Sequence, residues 1–173
     1  MRQTCRILFS VLTFLALAGC SGARQPNQPS AEDIPLVGAW RAGLQFETGA
    51  LSTFKDMEFL YVFNAGGTMT ESSNYDAAPP VPPAYGIWKK SGPREYRAKY
   101  EFYVTRPAAA NEAAAAGGGW LPAGRGILVE TITLSEDGNS FSSNIRYEFV
   151  DQAGKAAAGG GIGKGRGLRI SLE

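Results

Sequence analysis

From Leu36 onward, apolar and polar residues alternate with a period of two. This is the pattern of strands with one buried face, and it constrains the fold more than any other feature of the chain. Gly38, Trp40, Ala42, Leu44 and Phe46 share one face of a first strand, with Arg41, Gln45 and Glu47 opposite. Tyr96, Ala98, Tyr100, Phe102 and Val104 alternate with Glu95, Arg97, Lys99 and Glu101. Phe141, Ile145, Tyr147 and Phe149 alternate with Ser142, Asn144, Arg146 and Glu148. Further strands are expected over Met57 to Phe63, Thr68 to Asn74, Tyr85 to Lys90, Gly126 to Leu134 and Ile162 to Leu172, which brings the total to eight. Asn64-Ala-Gly-Gly67, Ser91-Gly-Pro93 and Glu136-Asp-Gly-Asn139 read as hairpin turns. Short connections favour an antiparallel meander, and an even strand number lets the last strand pair with the first. The expected fold is therefore all-β: an eight-stranded antiparallel up-and-down barrel without exposed edges.

The remaining connections are long: Thr48 to Asp56, Tyr75 to Ala84, Arg106 to Arg125 and Asp151 to Gly161. Alternate connections of a meander lie at opposite ends, so one end is closed by hairpins and the other is a loop-rich mouth. Strand one begins, and strand eight finishes, at the closed end.

Arg2 and Arg6 precede an apolar run from Ile7 to Ala18 that ends in small residues before Cys20, as a secretory signal peptide does. The run is shorter than the ~20 apolar residues of a spanning helix. Residues 1–19 are read as leader, 20–35 as a Pro-, Gln- and Ser-rich tether, and 36–173 as one barrel domain. Cys5 and Cys20 are the only cysteines, so the barrel itself has no thiol and no disulfide. The formal charge of +1 is spread evenly, and the missing basic stripe argues against a nucleic-acid partner.

Leu17-Ala18-Gly19-Cys20 resembles the lipobox of bacterial lipoproteins. That resemblance implies cleavage before Cys20, lipidation of Cys20 and attachment to a membrane of the cell envelope. In such proteins an aspartate after the cysteine favours the inner membrane; Ser21 stands here, which implies the outer membrane where the host has one. Gly38-Ala39-Trp40 and a late arginine, Arg166 or Arg169, resemble the signature of the calycins, the lipocalin and avidin-like barrels, in which the arginine crosses the tryptophan at one barrel end. "FNAGGTMTES", "YGIWKKSG" and "TLSEDGNSF" are similar to stretches of small secreted lipocalin-like bacterial proteins of unassigned function. The lipocalin disulfides are missing, and the polar residues that hold biotin in avidins do not map onto these loops. The resemblance implies a fold and names no ligand.

A chain without histidine, its cysteines outside the barrel, has no Ser-His or Cys-His pair and no His or Cys metal site. No cofactor and no catalytic residue is expected. Gly117-Gly-Gly119 and Gly159-Gly-Gly161 lack the lysine and hydroxyl of a phosphate loop and read as flexible loop. Glu130 interrupts an apolar run. The favoured arrangement turns Ile127, Val129 and Thr131 inward and leaves Glu130 in water; the other buries Glu130 with Leu128, Ile132 and Leu134 and raises its pKa. Glu71 poses the same choice.

Aromatic side chains are the best binding candidates: Phe59 and Tyr61 with Phe63, Tyr100 with Phe102, and Tyr147 with Phe149. Pro107 to Ala116 has helix formers, and Trp120 after it is a candidate lid over the mouth. Gly163, Gly165 and Gly167 leave one face of the last strand bare, which makes interior room if that face points inward; the rival arrangement turns Leu168, Ile170 and Leu172 inward. The expected function is binding of a small apolar or aromatic molecule by a lipid-anchored barrel. The alternatives are a filled barrel that contacts an envelope protein through its long loops, and a cofactor-free isomerase or cyclase that uses Glu130 or Tyr100.

Overall fold

The computed structural model describes residues 35–75, 83–112, 117 and 119–172. Eight strands follow in order: β1 (Gly38–Phe46), β2 (Met57–Phe63), β3 (Thr68–Ser73), β4 (Ala84–Lys90), β5 (Glu95–Pro107), β6 (Trp120–Leu134), β7 (Ser140–Val150) and β8 (Ala156–Arg169). Each pairs antiparallel with the next, and β8 returns to β1, so the sheet closes into a barrel with no free edge. Among the described residues there is no helix.

Period-two alternation sets the interior. Trp40, Ala42, Leu44 and Phe46 of β1, Met57, Phe59, Tyr61 and Phe63 of β2, and Tyr96, Ala98 and Tyr100 of β5 all point inward. On β8 the inward set is Gly163, Gly165 and Gly167, while Leu168, Ile170 and Leu172 are exposed. Neighbouring side chains take the space these glycines leave. Phe141 lies across Gly167 and Phe46 against Gly163, where any Cβ would collide with them.

Trp40 and Arg169 plug the closed end. Trp40 is fully buried and its indole N–H donates to Leu36 O at 2.9 Å. The Arg169 guanidinium lies 4.2 Å from the Trp40 ring centroid and donates to the carbonyls of Val37 at 2.9 Å and Gly138 at 3.0 Å, and to Pro35. Gly38, at φ +134°, admits this side chain, because a Cβ there would stand 2.7 Å from Arg169 Nη1. Of the two arginines suggested by the sequence, Arg166 is not the plug. It faces solvent because its position has the opposite parity to the inward glycines.

Two further expectations are corrected. Ile127, Val129 and Thr131 are only half-buried, and Leu128, Glu130 and Ile132 form the inward set of β6. Gly126 of the same inward row lies under the Phe102 ring, and two tyrosine hydroxyls receive Glu130, so the register carries an acid into the interior with partners provided. The connection after β7 is also tight, from Asp151 to Lys155, because Asp151 Oδ1 accepts from the amides of Ala153 and Lys155 at 3.0 and 2.8 Å and Gly154 takes φ +81°. Ala156 to Gly161 is strand rather than loop.

Likewise, β5 and β6 continue as a ribbon to Pro107 and Trp120 beyond a bulge at Val104/Thr105. Residues 110–112 form a turn in which Glu112 binds Arg106 with two contacts of 2.8 Å and accepts from the Ala109 amide at 3.0 Å. These bonds hold the Glu112 carboxyl down at about 2. The expected helix begins in strand and this turn, and its residues 113–116 lie outside the described residues, as do residues 76–82 of the connection between β3 and β4.

Candidate functional site

The loops after β1 and β3 and the ends of β5 and β7 surround a cavity of about 340 Å³ at the mouth. Ala50, Leu51 and Phe54 come from the first loop, Ser73 and Tyr75 from the end of β3 and just beyond it, Phe102 to Thr105 from β5, and Tyr147 to Phe149 from β7. Met57, Phe59, Leu128 and Glu71 lie deeper. The first loop is held in place by the barrel. The Tyr147 hydroxyl donates to Thr48 O at 3.0 Å and accepts from the Leu51 amide at 2.9 Å, and the Ala50 amide donates to Gly159 O at 2.8 Å. Gly49 at φ +83° passes beside that hydroxyl, where a Cβ would not fit. Phe54 and Tyr75 join the two loops, with ring centroids 4.2 Å apart.

Below the floor is a cluster of buried polar groups in a largely apolar barrel. Glu130 is fully buried. Tyr61 and Tyr100 donate to its Oε2 at 3.2 and 3.0 Å, and their hydroxyls are 3.2 Å apart. Two hydroxyl hydrogens cannot fill three contacts, so with both tyrosines donating to Oε2 the contact between their two hydroxyls has no hydrogen of its own. Burial pushes the Glu130 carboxyl above its ordinary range, against the hydrogen bonds of its neighbours. Ser143 Oγ is near enough to favour the ionised form but misses hydrogen-bond geometry, so Ser143 Oγ and Glu130 Oε1 have no hydrogen-bond partner among the described residues. Burial first, and the Glu130 charge second, raise both tyrosines well above their usual value.

Glu71 is the group that connects this cluster to the cavity. It is 6% exposed, lies in the cavity lining, and its Oε1 has no hydrogen-bond partner among the described residues. Burial, with Glu130 as the second cause, raises it to about 8. At neutral pH the Glu71 carboxyl holds its proton, so it can donate one hydrogen bond, accept another, or release the proton to a base.

Phe59, Phe102, Tyr147 and Phe149, the aromatic residues expected to meet a ligand, line the cavity. Tyr61 and Tyr100 lie beneath it on Glu130 and are not part of the lining. Trp120 opens β6 opposite Pro107, 40% exposed, and takes no part in the wall. Leu51, Phe54 and Tyr75 were not singled out from the sequence. The available signal was three bulky apolar residues in segments that otherwise read as polar loop. No family model, no curated protein and no solved structure matches the chain.

Proposed function

We propose that this protein is a lipid-anchored, calycin-like barrel that binds a small, largely apolar or aromatic molecule at the cell envelope. The observation that carries the reading is the mouth cavity. Its volume of about 340 Å³ falls at the lower end of small-molecule pockets, which span roughly 300–1,000 Å³. Its wall is mostly aromatic and aliphatic, and the polar groups in it are few. The lipobox resemblance at Cys20 supports the anchor, and Ser21 supports the outer membrane as its place. The Trp40 and Arg169 plug supports the calycin likeness.

Purification from the native host followed by native mass spectrometry tests the reading. A discrete extra mass that leaves on denaturation is expected, and it should be displaced by the neutral apolar dye N-phenyl-1-naphthylamine. A bare protein that does not take up the dye would refute binding. Contact with an envelope protein is the second reading. It is favoured by Leu60, Val62, Tyr85 and Ile87, which are 51%, 43%, 64% and 65% exposed on the outer face of β2 and β4.

A further inference from the structure

An apolar cavity with one buried acid in its floor does not treat all apolar molecules alike. A fatty acid or other anion would bring a second negative group toward Glu71 and Glu130, and among the described residues the lining includes no lysine or arginine to receive it. A neutral hydrocarbon would leave Glu71 Oε1, already without a partner, dry and unpaired, which costs affinity. A cation carries the missing donor and suits both the carboxylate and the ring faces of Phe54, Phe59 and Phe102.

We infer that the cavity selects molecules with an apolar body and one amine, whose ammonium lies against the Glu71 carboxylate while the aromatic wall encloses the carbon skeleton. This rests on the ligand-binding reading of the same cavity. The proton count follows from the groups present. Before binding, the ammonium and the Glu71 carboxyl each hold a proton, Glu71 because it is raised to about 8. In the ion pair the carboxyl proton has gone to water, so about one proton is released per amine bound near neutral pH. Glu130 from β6, Tyr61 from β2 and Tyr100 from β5 face Glu71, and all three favour its neutral form or stay neutral themselves. Tyr75, Tyr103, Tyr147 and Glu148 stand on the wall. Glu148 is paired with Arg146 at the rim.

The test compares phenylbutylamine, phenylbutanol and phenylbutyrate, which share one body, by calorimetry in buffers of differing ionisation enthalpy. The full chain is held in phosphatidylcholine nanodiscs, and the heat of empty discs is subtracted. The amine is expected to bind at least about tenfold tighter than the alcohol at pH 7.5, with the acid weakest. Its affinity should rise about tenfold from pH 6 to pH 7 as the ionised fraction of Glu71 grows, with about one proton released, while the alcohol releases none. Glu71→Gln should bring the amine to the level of the alcohol and abolish the release, and Glu136→Gln, in the exposed turn at the closed end, should change neither. Proton release by the unaltered chain decides the matter if Glu71→Gln does not fold. Equal binding of all three probes, or amine binding without proton release, would overturn the amine preference and leave an apolar cavity standing. Binding of none would overturn the preference and the ligand-binding reading together.

Discussion

Glu71 has no hydrogen-bond donor among the described residues and a second carboxyl in electrostatic range, so its ionised form is penalised in the folded barrel alone. Unfolded, it titrates near the ordinary 4.5; folded, at about 8. Between those values the native state keeps a proton that the unfolded chain has lost, and rising pH favours unfolding. The contribution of Glu71 to stability is therefore full below about pH 4.5 and is lost as pH rises toward 8. The raised Glu130 acts in the same direction. Urea midpoints should fall from pH 5 to pH 8. Glu71→Gln should flatten that profile and stabilise the barrel by ~1–3 kcal/mol at pH 8 with little effect at pH 5. A midpoint that rises with pH would mean that Glu71 ionises without penalty. The two late arginines differ as sharply. Arg169→Ala removes a ring contact and charge-assisted bonds to three carbonyls and should cost ~2–4 kcal/mol, whereas the outward Arg166→Ala should stay within ~0.5 kcal/mol. Equal losses in urea unfolding would remove Arg169 from its role as the plug.

Pairs of a ring and a glycine on adjacent strands hold β5 to β6 and β7 to β8. Phe102 faces Gly126, and Phe141 faces Gly167. Gly167→Val places a branched side chain where the Phe141 ring lies and should destabilise by ~1–3 kcal/mol. The double variant Gly167→Val/Phe141→Ala should recover part of that loss, and a purely additive result would deny the contact. These pairs also explain what was legible in the sequence. Strands with large residues on the inward face, such as Met57–Phe63, match their expected bounds. β8 starts six positions earlier than expected, at Ala156 rather than Ile162, because alanine and glycine make ladder hydrogen bonds without showing alternation. The inward row of β6 was hidden for another reason. An acid at Glu130 reads as a solvent-facing residue until the hydroxyls of Tyr61 and Tyr100, from strands distant in sequence, are placed beside it. Part of the cavity wall was legible as aromatic strand faces, but Leu51 and Phe54 become wall only through the Tyr147 hydroxyl that fixes their loop.

β1 begins and β8 ends at the end closed by the turns 64–67, 91–94 and 135–139, while the cavity opens at the other. An anchor at Cys20 would therefore hold the barrel by its plugged end. If the ~15 residues between Cys20 and the barrel were a flexible tether, their root-mean-square reach would be about 20 Å, and a barrel held by that end would turn its mouth away from the bilayer. Ligand would then be exchanged with the surrounding medium or with another protein. Cys20→Ala is expected to move the protein from the membrane fraction to the soluble fraction on cell fractionation, while dye affinity at the mouth is unchanged. Persistence in the membrane fraction would refute the lipid anchor. Release accompanied by loss of bound ligand in cells, with affinity intact in the purified protein, would show that the molecule reaches the mouth from the bilayer, and that the tether folds back rather than standing the barrel upright.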